Sequence, residues 1–163
     1  MIPYLELRSA ARTAGVPAST IERDYVQGWF LAGLTWDVLA LKGGTAIRKA
    51  FIPDYRFSDD LDFTLTTPVK IGTIRSIVDA AVDHAKTEGR IILEEAKRIE
   101  EVQNGFMMAL RFRLEGSSYQ TVKLKLDFTK SENEQIILPL QTRLLIHNYS
   151  DKCTGTLRTY SLE

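Results

Sequence analysis

Two aspartates placed two positions apart, Asp60 and Asp62, are the residues of this chain best suited to chemistry, and they stand in the apolar segment RFSDDLDFTL. Side chains on a strand repeat with a period of two, so both carboxylates project from one face. Neighbouring carboxylates repel each other unless a hard cation lies between them, and Mg²⁺ is the usual cation. A solvated strand edge is the alternative, but Leu61, Phe63 and Leu65 indicate that the opposite face is buried and that the pair is held rigidly. We therefore predict that Asp60 and Asp62 bind a divalent metal.

A glycine turn precedes this strand and opens a helix-like segment, with Gly43, Gly44 and Thr45 in LKGGTAIRKAF. Free backbone N–H groups at the start of a helix bind phosphate. The turn is not a Walker A loop, because no Gly-Lys-Ser/Thr follows a four-residue spacer, and a plain turn with a threonine cap is the alternative. Its place just before the aspartates favours a cradle in which backbone amides and the threonine hydroxyl hold the β- and γ-phosphates of a nucleotide.

Further polar residues near the two motifs are candidate phosphate ligands. Arg56 and Ser58 have the same parity as the two aspartates and should project from the same face. Lys42 directly precedes the glycine turn and Arg48 follows it, and both are helpers of lower rank.

Asp127 is the third carboxylate that we select, in the alternating segment VKLKLDF. Two-metal phosphoryl transfer commonly needs a third carboxylate to complete the second metal site. Lys123 and Lys125 share a face with Asp127 and would meet phosphate or a nucleic-acid backbone. An equally good interpretation of the lysines is that they protect an ordinary amphipathic edge strand from aggregation.

The elements that must position these residues follow from periodicity. Apolar spacing and turn residues predict four helices: Tyr4–Ala14, one starting at Ser19 with a capping-box spacing to Glu22, Thr45–Phe51, and a long helix from Thr67-Pro68 to Gly89. Alternation predicts five strands and two shorter ones: Asp37–Leu41, Phe57–Leu65, Ile91–Arg98, Phe106–Leu114 and Thr121–Phe128, with Gln135–Leu138 and Leu157–Tyr160. The turn EGSSYQ should join two of these strands as a hairpin.

The composition indicates one ordinary globular domain of 163 residues, with 44% hydrophobic residues. Lys plus Arg and Asp plus Glu balance at 21 each, so contact with nucleic acid would need a local basic patch. Cys153 is the single cysteine, which excludes an internal disulfide and fits a reducing compartment. No apolar run reaches about 18 residues. We expect a soluble, cytoplasmic protein without a membrane partner.

The motifs resemble the AbiEii/AbiGii-type toxin family of nucleotidyltransferases, within the DNA-polymerase-β-like superfamily. The similar segments are IERDYVQGWFLAGL, LKGGTAIRKAF, RFSDDLDFTL, VKLKLDF and TLRTYSLE. The resemblance implies an α+β fold, in which a nucleotidyltransferase (polymerase-β-like) core has a mixed β-sheet flanked by helices. It also implies a single domain over residues 1–163 with N-terminal helices at about 3–34, and a helical C-terminal region that would follow residue 163.

The resemblance further implies a toxin that transfers a nucleoside monophosphate from an NTP to an acceptor hydroxyl. Its cofactor would be Mg²⁺, with Mn²⁺ as the substitute, its acceptor RNA such as the 3′ end of tRNA, and its partner a cognate antitoxin. Carried over residue by residue, the triphosphate would be held by Gly44 and Thr45, the metal by Asp60, Asp62 and Asp127, and the leaving phosphates or the acceptor strand by Lys123 or Lys125.

Two alternatives stay open. A metal-dependent nuclease or phosphodiesterase could use the same three carboxylates, although diester hydrolysis does not need a triphosphate cradle. An inactive partner-binding module of the same fold is favoured by the short C-terminus and disfavoured by the presence of every motif. The sequence does not identify the NTP, the acceptor, the antitoxin or the oligomeric state, and activity without a C-terminal helical region is equally open.

Overall fold

Four α-helices and eight strands make up the described part of the chain in the computed structural model, which describes residues 2–116 and 121–162. The helices are α1 (Tyr4–Ala14), α2 (Ala18–Ala32), α3 (Gly43–Ala50) and α4 (Ile71–Thr87), with a 3₁₀ turn at Ser131–Asn133. The strands are β1 (Leu39–Lys42), β2 (Asp60–Leu65), β3 (Ile91–Ala96), β4 (Glu100–Val102), β5 (Gly105–Leu114), β6 (Val122–Thr129), β7 (Gln141–Leu144) and β8 (Thr156–Thr159).

The strands form one mixed sheet in the order β3-β5-β6-β2-β1-β8-β7, with β4 paired to β5. β2 lies parallel to β6 and antiparallel to β1, while β1 lies parallel to β8. The predicted α+β fold with a mixed sheet, helices packed on it and an N-terminal helical segment is therefore confirmed.

The sheet has one apolar face and one polar face because its strands alternate. In β6, Leu124, Leu126 and Phe128 are buried, whereas the residues between them are partly or fully exposed. Helices α2, α3 and α4 pack on the sheet, and α1 packs on α2. Phe63 of β2 stacks on Phe128 with ring centroids 5.1 Å apart, which fixes the register of the two central strands on the apolar side.

One predicted strand is wrong, and one strand of the structure was not predicted. Gln135–Leu138 is not a strand: Ile137 and Leu138 are exposed, Leu138 by 72%, and Pro139 follows with no N–H group to donate. The polar segment Gln141–Leu144 forms the edge strand instead, because β8 supplies its hydrogen bonds. The short strand β4 was also missed, since its three exposed residues lack alternation.

The predicted capping box at the start of α2 is also wrong. The helix begins at Ala18 after Pro17, and no side chain caps it. Glu22 is buried and accepts a hydrogen bond from the Tyr4 hydroxyl at 2.9 Å, so it joins α1 to α2. Most of the predicted EGSSYQ turn lies outside the described residues. Among the described residues, no helix has the length and apolar content needed to cross a membrane.

Gly105 tests the packing of β5 against β6. A Cβ atom at this position would lie 1.7 Å from the carbonyl oxygen of Phe128, so the backbone of one strand would have to move. We expect Gly105→Ala to lower the free energy of unfolding by about 2–3 kcal/mol in urea denaturation. Gly72→Ala is the matched control: Gly72 lies in α4 with nothing within 4 Å of the added atom, and alanine favours a helix. Equal losses in the two variants would contradict the close approach at Gly105.

Candidate active site

The three aspartates selected from the sequence lie on two neighbouring strands, on the polar face of the sheet. The parallel register of β2 and β6 places Asp62 beside Asp127 and Asp60 beside Lys125. Residues paired in this way lie on the same face of a sheet, so the carboxylates of the two strands are neighbours. The structure therefore brings together two motifs that are far apart in the sequence.

The electrostatics of this cluster are unfavourable when no cation is present. Burial raises the pKa of Asp62 above its usual value, and the charges of Asp127 and then Asp60 raise it further. Burial and the charge of Asp60 likewise raise the pKa of Asp127. Lys125 offsets only part of this repulsion, since its Nζ lies 3.8 Å from Oδ1 of Asp60 and both side chains are substantially exposed.

The glycine turn lies directly against these carboxylates. Gly43 has a φ of 71°, which a residue with a side chain rarely adopts, and a Cβ atom there would lie 2.8 Å from Oδ2 of Asp62. Gly43 and Gly44 begin α3, so N–H groups of its first turn have no partner within the helix. The glycine turn and the acidic cluster singled out in the sequence are thus in direct contact.

Arg56 and Ser58 lie over the second glycine, but the strand predicted from Phe57 begins only at Asp60, so they lie in an irregular segment and the parity argument for them is wrong. A Cβ atom at Gly44 would come within 3.2 Å of Nη2 of Arg56 and 3.4 Å of Oγ of Ser58. Gln27 of α2 holds this segment by donating its side-chain N–H to the Ser58 carbonyl at 2.9 Å. One guanidinium and one hydroxyl therefore border the turn at the place where a phosphate would approach.

Thr45 and Asp59 use their side chains for contacts within the fold. Thr45 is buried, and its hydroxyl donates to the backbone carbonyl of Asp60 at 2.7 Å, which ties the start of α3 to β2. Asp59, next to the paired aspartates, is exposed and forms an ion pair with Arg23 of α2. The proton of the Thr45 hydroxyl is therefore used within the fold, whereas the sequence predicted a contact of this hydroxyl with phosphate.

Lys42 and Glu134 form a second charged group on the same face. Lys42 is paired with Asp62 across β1 and β2, and its ammonium donates to Glu134 at 2.6 Å and to Thr129 at 2.9 Å. Glu134 also accepts a hydrogen bond from the Thr64 hydroxyl at 2.7 Å. Sequence reasoning missed Glu134, because it lies in an irregular segment after the 3₁₀ turn and no periodicity marks it.

Basic residues continue along the polar face away from the carboxylates. Arg111 and Arg113 of β5 form ion pairs with Glu95 and Glu94 of β3, at 3.2 Å and 2.7 Å. These arginines are thus neutralised by an adjacent strand, as expected of a solvated face. Lys123, paired with Arg111 across β5 and β6, lies two residues from Lys125 on the same exposed face.

The residues of the acidic cluster fit a hard divalent cation. Oδ1 of Asp60 is buried and has no hydrogen-bond partner among the described residues. A carboxylate donor set of this kind is the one that Mg²⁺ prefers. Within residues 2–116 and 121–162, no three acidic, histidine or cysteine side chains already converge on one point. Carboxylates without a bound cation repel each other, so they are not expected to converge on one point.

Comparison with solved structures places the fold among nucleotidyltransferases. MenT4, a nucleotidyltransferase toxin from Mycobacterium tuberculosis H37Rv, superimposes with a TM-score of 0.70 at 19% identity, covering 99% of this chain and 56% of that one. JHP933 from Helicobacter pylori gives a TM-score of 0.60 at 16% identity, covering 88% of this chain and 52% of that one. The chain therefore spans about half the length of these structures.

Comparison with protein families identifies the particular family. Residues 30–163 match the family described as "Nucleotidyl transferase AbiEii toxin, Type IV TA system". The chain belongs to this family, and the resemblance seen in its motifs is confirmed. A comparison with curated proteins finds no match.

Asp127→Asn tests the repulsion within the acidic cluster. Removing one charge should raise the free energy of unfolding by about 0.5 kcal/mol without divalent cations, a small gain because partly exposed charges are screened. The measurement is urea denaturation in EDTA at neutral pH and low salt, and added salt should reduce the difference. Asp79→Asn, at an exposed position of α4, is the control and should show no gain. A loss of stability in Asp127→Asn would mean that this carboxylate is held by favourable contacts.

Proposed function

We propose that this domain binds an NTP together with Mg²⁺, or Mn²⁺ in its place, and transfers the nucleoside monophosphate to an acceptor hydroxyl. The contact between the glycine turn and the acidic cluster carries the proposal, because Oδ2 of Asp62 occupies the space beside Gly43 that a side chain would fill. A phosphate on the turn would therefore lie beside the carboxylates. Family membership supports the same reaction class.

The triphosphate would lie on the first turn of α3. The N–H groups of Gly44 and Thr45 point to the phosphates, and Arg56 and Ser58 donate hydrogen bonds from the other side. These donors stabilise the negative charge that grows on the leaving pyrophosphate as its bond to the α-phosphorus breaks. Binding the triphosphate by fixed donors also orients the α-phosphorus for attack by the acceptor oxygen.

Asp60, Asp62 and Asp127 would hold the metal. When bound, Mg²⁺ supplies neutralisation of the triphosphate charge and polarisation of the acceptor hydroxyl. Asp127, on the strand beside Asp60 and Asp62, is the carboxylate that we assign to the acceptor side. Lys123 and Lys125 would contact the backbone of the acceptor strand or the leaving phosphates.

Lys42 would act from within its ion pair. Its ammonium is engaged by Glu134 and Thr129 while its strand position adjoins Asp62. Lys42 would therefore hold an N–H donor on the nucleotide side of the site, while Glu134 fixes the position of its ammonium group and balances its charge.

RNA, such as the 3′ end of tRNA, is the acceptor that we propose, and a cognate antitoxin is the proposed partner in a toxin–antitoxin system of the cytoplasm. The family description names a type IV toxin–antitoxin system, which supports the second proposal. Because the chain spans about half the length of the similar solved structures, donor binding is the first step to test.

A thermal-shift titration with Mg²⁺ and each NTP tests donor binding. A ligand at 100 times its dissociation constant that binds only the folded state stabilises it by about 2.7 kcal/mol. We expect one or more NTPs to raise the melting temperature only when Mg²⁺ is present, and Asp62→Asn to abolish this shift. Asp79→Asn should retain it. The absence of any shift in the intact wild-type domain would favour the inactive partner-binding module.

Product analysis separates the proposed transferase from a nuclease. With Mg²⁺, tRNA and an NTP labelled at the α-phosphate, we expect label to enter RNA in the wild type and not in Asp62→Asn. Label should not enter when it is carried by the γ-phosphate, since pyrophosphate leaves. Shortening of RNA without any NTP would contradict the proposal and support a metal-dependent nuclease or phosphodiesterase.

A further inference from the structure

The segment between α3 and β2, residues 51–59, carries Arg56 and Ser58 without regular secondary structure of its own. We call it the phosphate loop. Its outer side borders a groove of about 880 Å³ that is also lined by α1 and the start of α2. Asn148 donates a hydrogen bond to the Pro53 carbonyl at 3.2 Å, and Arg143 of β7 lies over the Phe51 ring. The part of the loop around Arg56 is contacted by α2 and α3.

Arg48, near the end of α3, contacts the phosphate loop on both sides of Arg56. Its Nη1 donates a hydrogen bond to the carbonyl of Tyr55. Its guanidinium carbon lies 3.9 Å from the centre of the Phe57 ring. A single planar group thus fixes the residue before Arg56 and the residue after it.

Asp24 of α2 fixes Arg48 in turn. Oδ1 of this buried carboxylate accepts a hydrogen bond from Nε of Arg48 at 2.7 Å, and Oδ2 accepts one from the Tyr149 hydroxyl at 2.8 Å. Burial alone would raise the pKa of Asp24, but the charges of Lys49 and Arg48 lower it, so the carboxylate is ionised. A buried charge pair with this number of partners holds one geometry, because breaking it leaves an unpaired charge.

We propose that Arg48 is a positioning residue that sets the affinity of the site for the triphosphate by holding Arg56 and Ser58 over Gly44. It does so from outside the site, since its guanidinium is used by Asp24, the Tyr55 carbonyl and the Phe57 ring. This inference rests on the proposed function, because it assigns the phosphate loop to the triphosphate.

Lys49 provides a matched control in the next position of the chain. It is fully buried and binds the same partner, with Nζ 2.9 Å from Oδ2 of Asp24 and 2.8 Å from the Asp24 carbonyl. Its hydrogen bond and ion pair both go to Asp24 and neither reaches the described part of the phosphate loop. Lys49→Met therefore weakens the buried ion cluster and leaves Arg48 on the loop.

Arg48→Lys keeps the positive charge for Asp24 and removes the planar group that reaches Tyr55 and Phe57. We expect the dissociation constant for Mg²⁺–NTP to rise about tenfold, because the loop would occupy its binding-competent position less often. The measurement is calorimetry below the melting temperature of each variant. Hydrogen exchange of the loop amides should become faster. In Lys49→Met we expect a lower melting temperature with wild-type affinity and wild-type exchange in the loop.

Phe57→Leu provides a second variant that leaves the Asp24–Arg48 pair intact and removes only the ring beneath the guanidinium. We expect a smaller rise in the dissociation constant. Unchanged affinity in Arg48→Lys, or equal losses in Arg48→Lys and Lys49→Met, would overturn the positioning role while leaving the proposed function in place. Failure of the wild type to bind any Mg²⁺–NTP would overturn the proposed function and this inference with it.

Discussion

The parallel pairing of β2 with β6 places the carboxylates of Asp62 and Asp127 side by side, and the fold has to keep them there against their own repulsion. The apolar face of the same two strands provides the opposing free energy. Phe63 and Phe128, each one residue further along its strand, stack on that face. A shift of one residue would turn the aspartates into the core, so burial of the apolar face fixes the register on which the acidic cluster depends.

The glycine turn extends this constraint from the sheet to α3. Gly43 adopts a positive φ and has no side chain, so the helix can begin against Asp62. Thr45 then ties the first turn of the helix to the backbone of Asp60. The donors that would bind phosphate and the carboxylates that would bind metal are therefore held at a fixed separation by backbone contacts, a requirement for catalysis by orientation.

Behind the site, a buried ion cluster forms hydrogen bonds that apolar side chains could not form. Asp24, Arg48 and Lys49 are all buried, and replacing such groups with apolar residues is often neutral or favourable for stability. Directional hydrogen bonds, however, can reach the backbone of an irregular loop, as Arg48 reaches the carbonyl of Tyr55. In the role that we propose, the cluster stabilises the position of the phosphate loop, which has no regular secondary structure of its own.

Local sequence pattern was sufficient for β2, β6 and the long helix, because alternation and helical spacing depend on residues a few positions apart. The same patterns, with the family resemblance, selected Asp60, Asp62, Asp127 and the glycine turn. Three features could not be found in this way: the role of Glu134, the pairing of Arg48 with a buried carboxylate, and the edge strand β7. Each depends on a contact between distant segments: Glu134 with Lys42, Arg48 with Asp24 and β7 with β8. Such contacts follow from the order and register of the strands and from the packing of α2 on the sheet, so only the tertiary structure decides them.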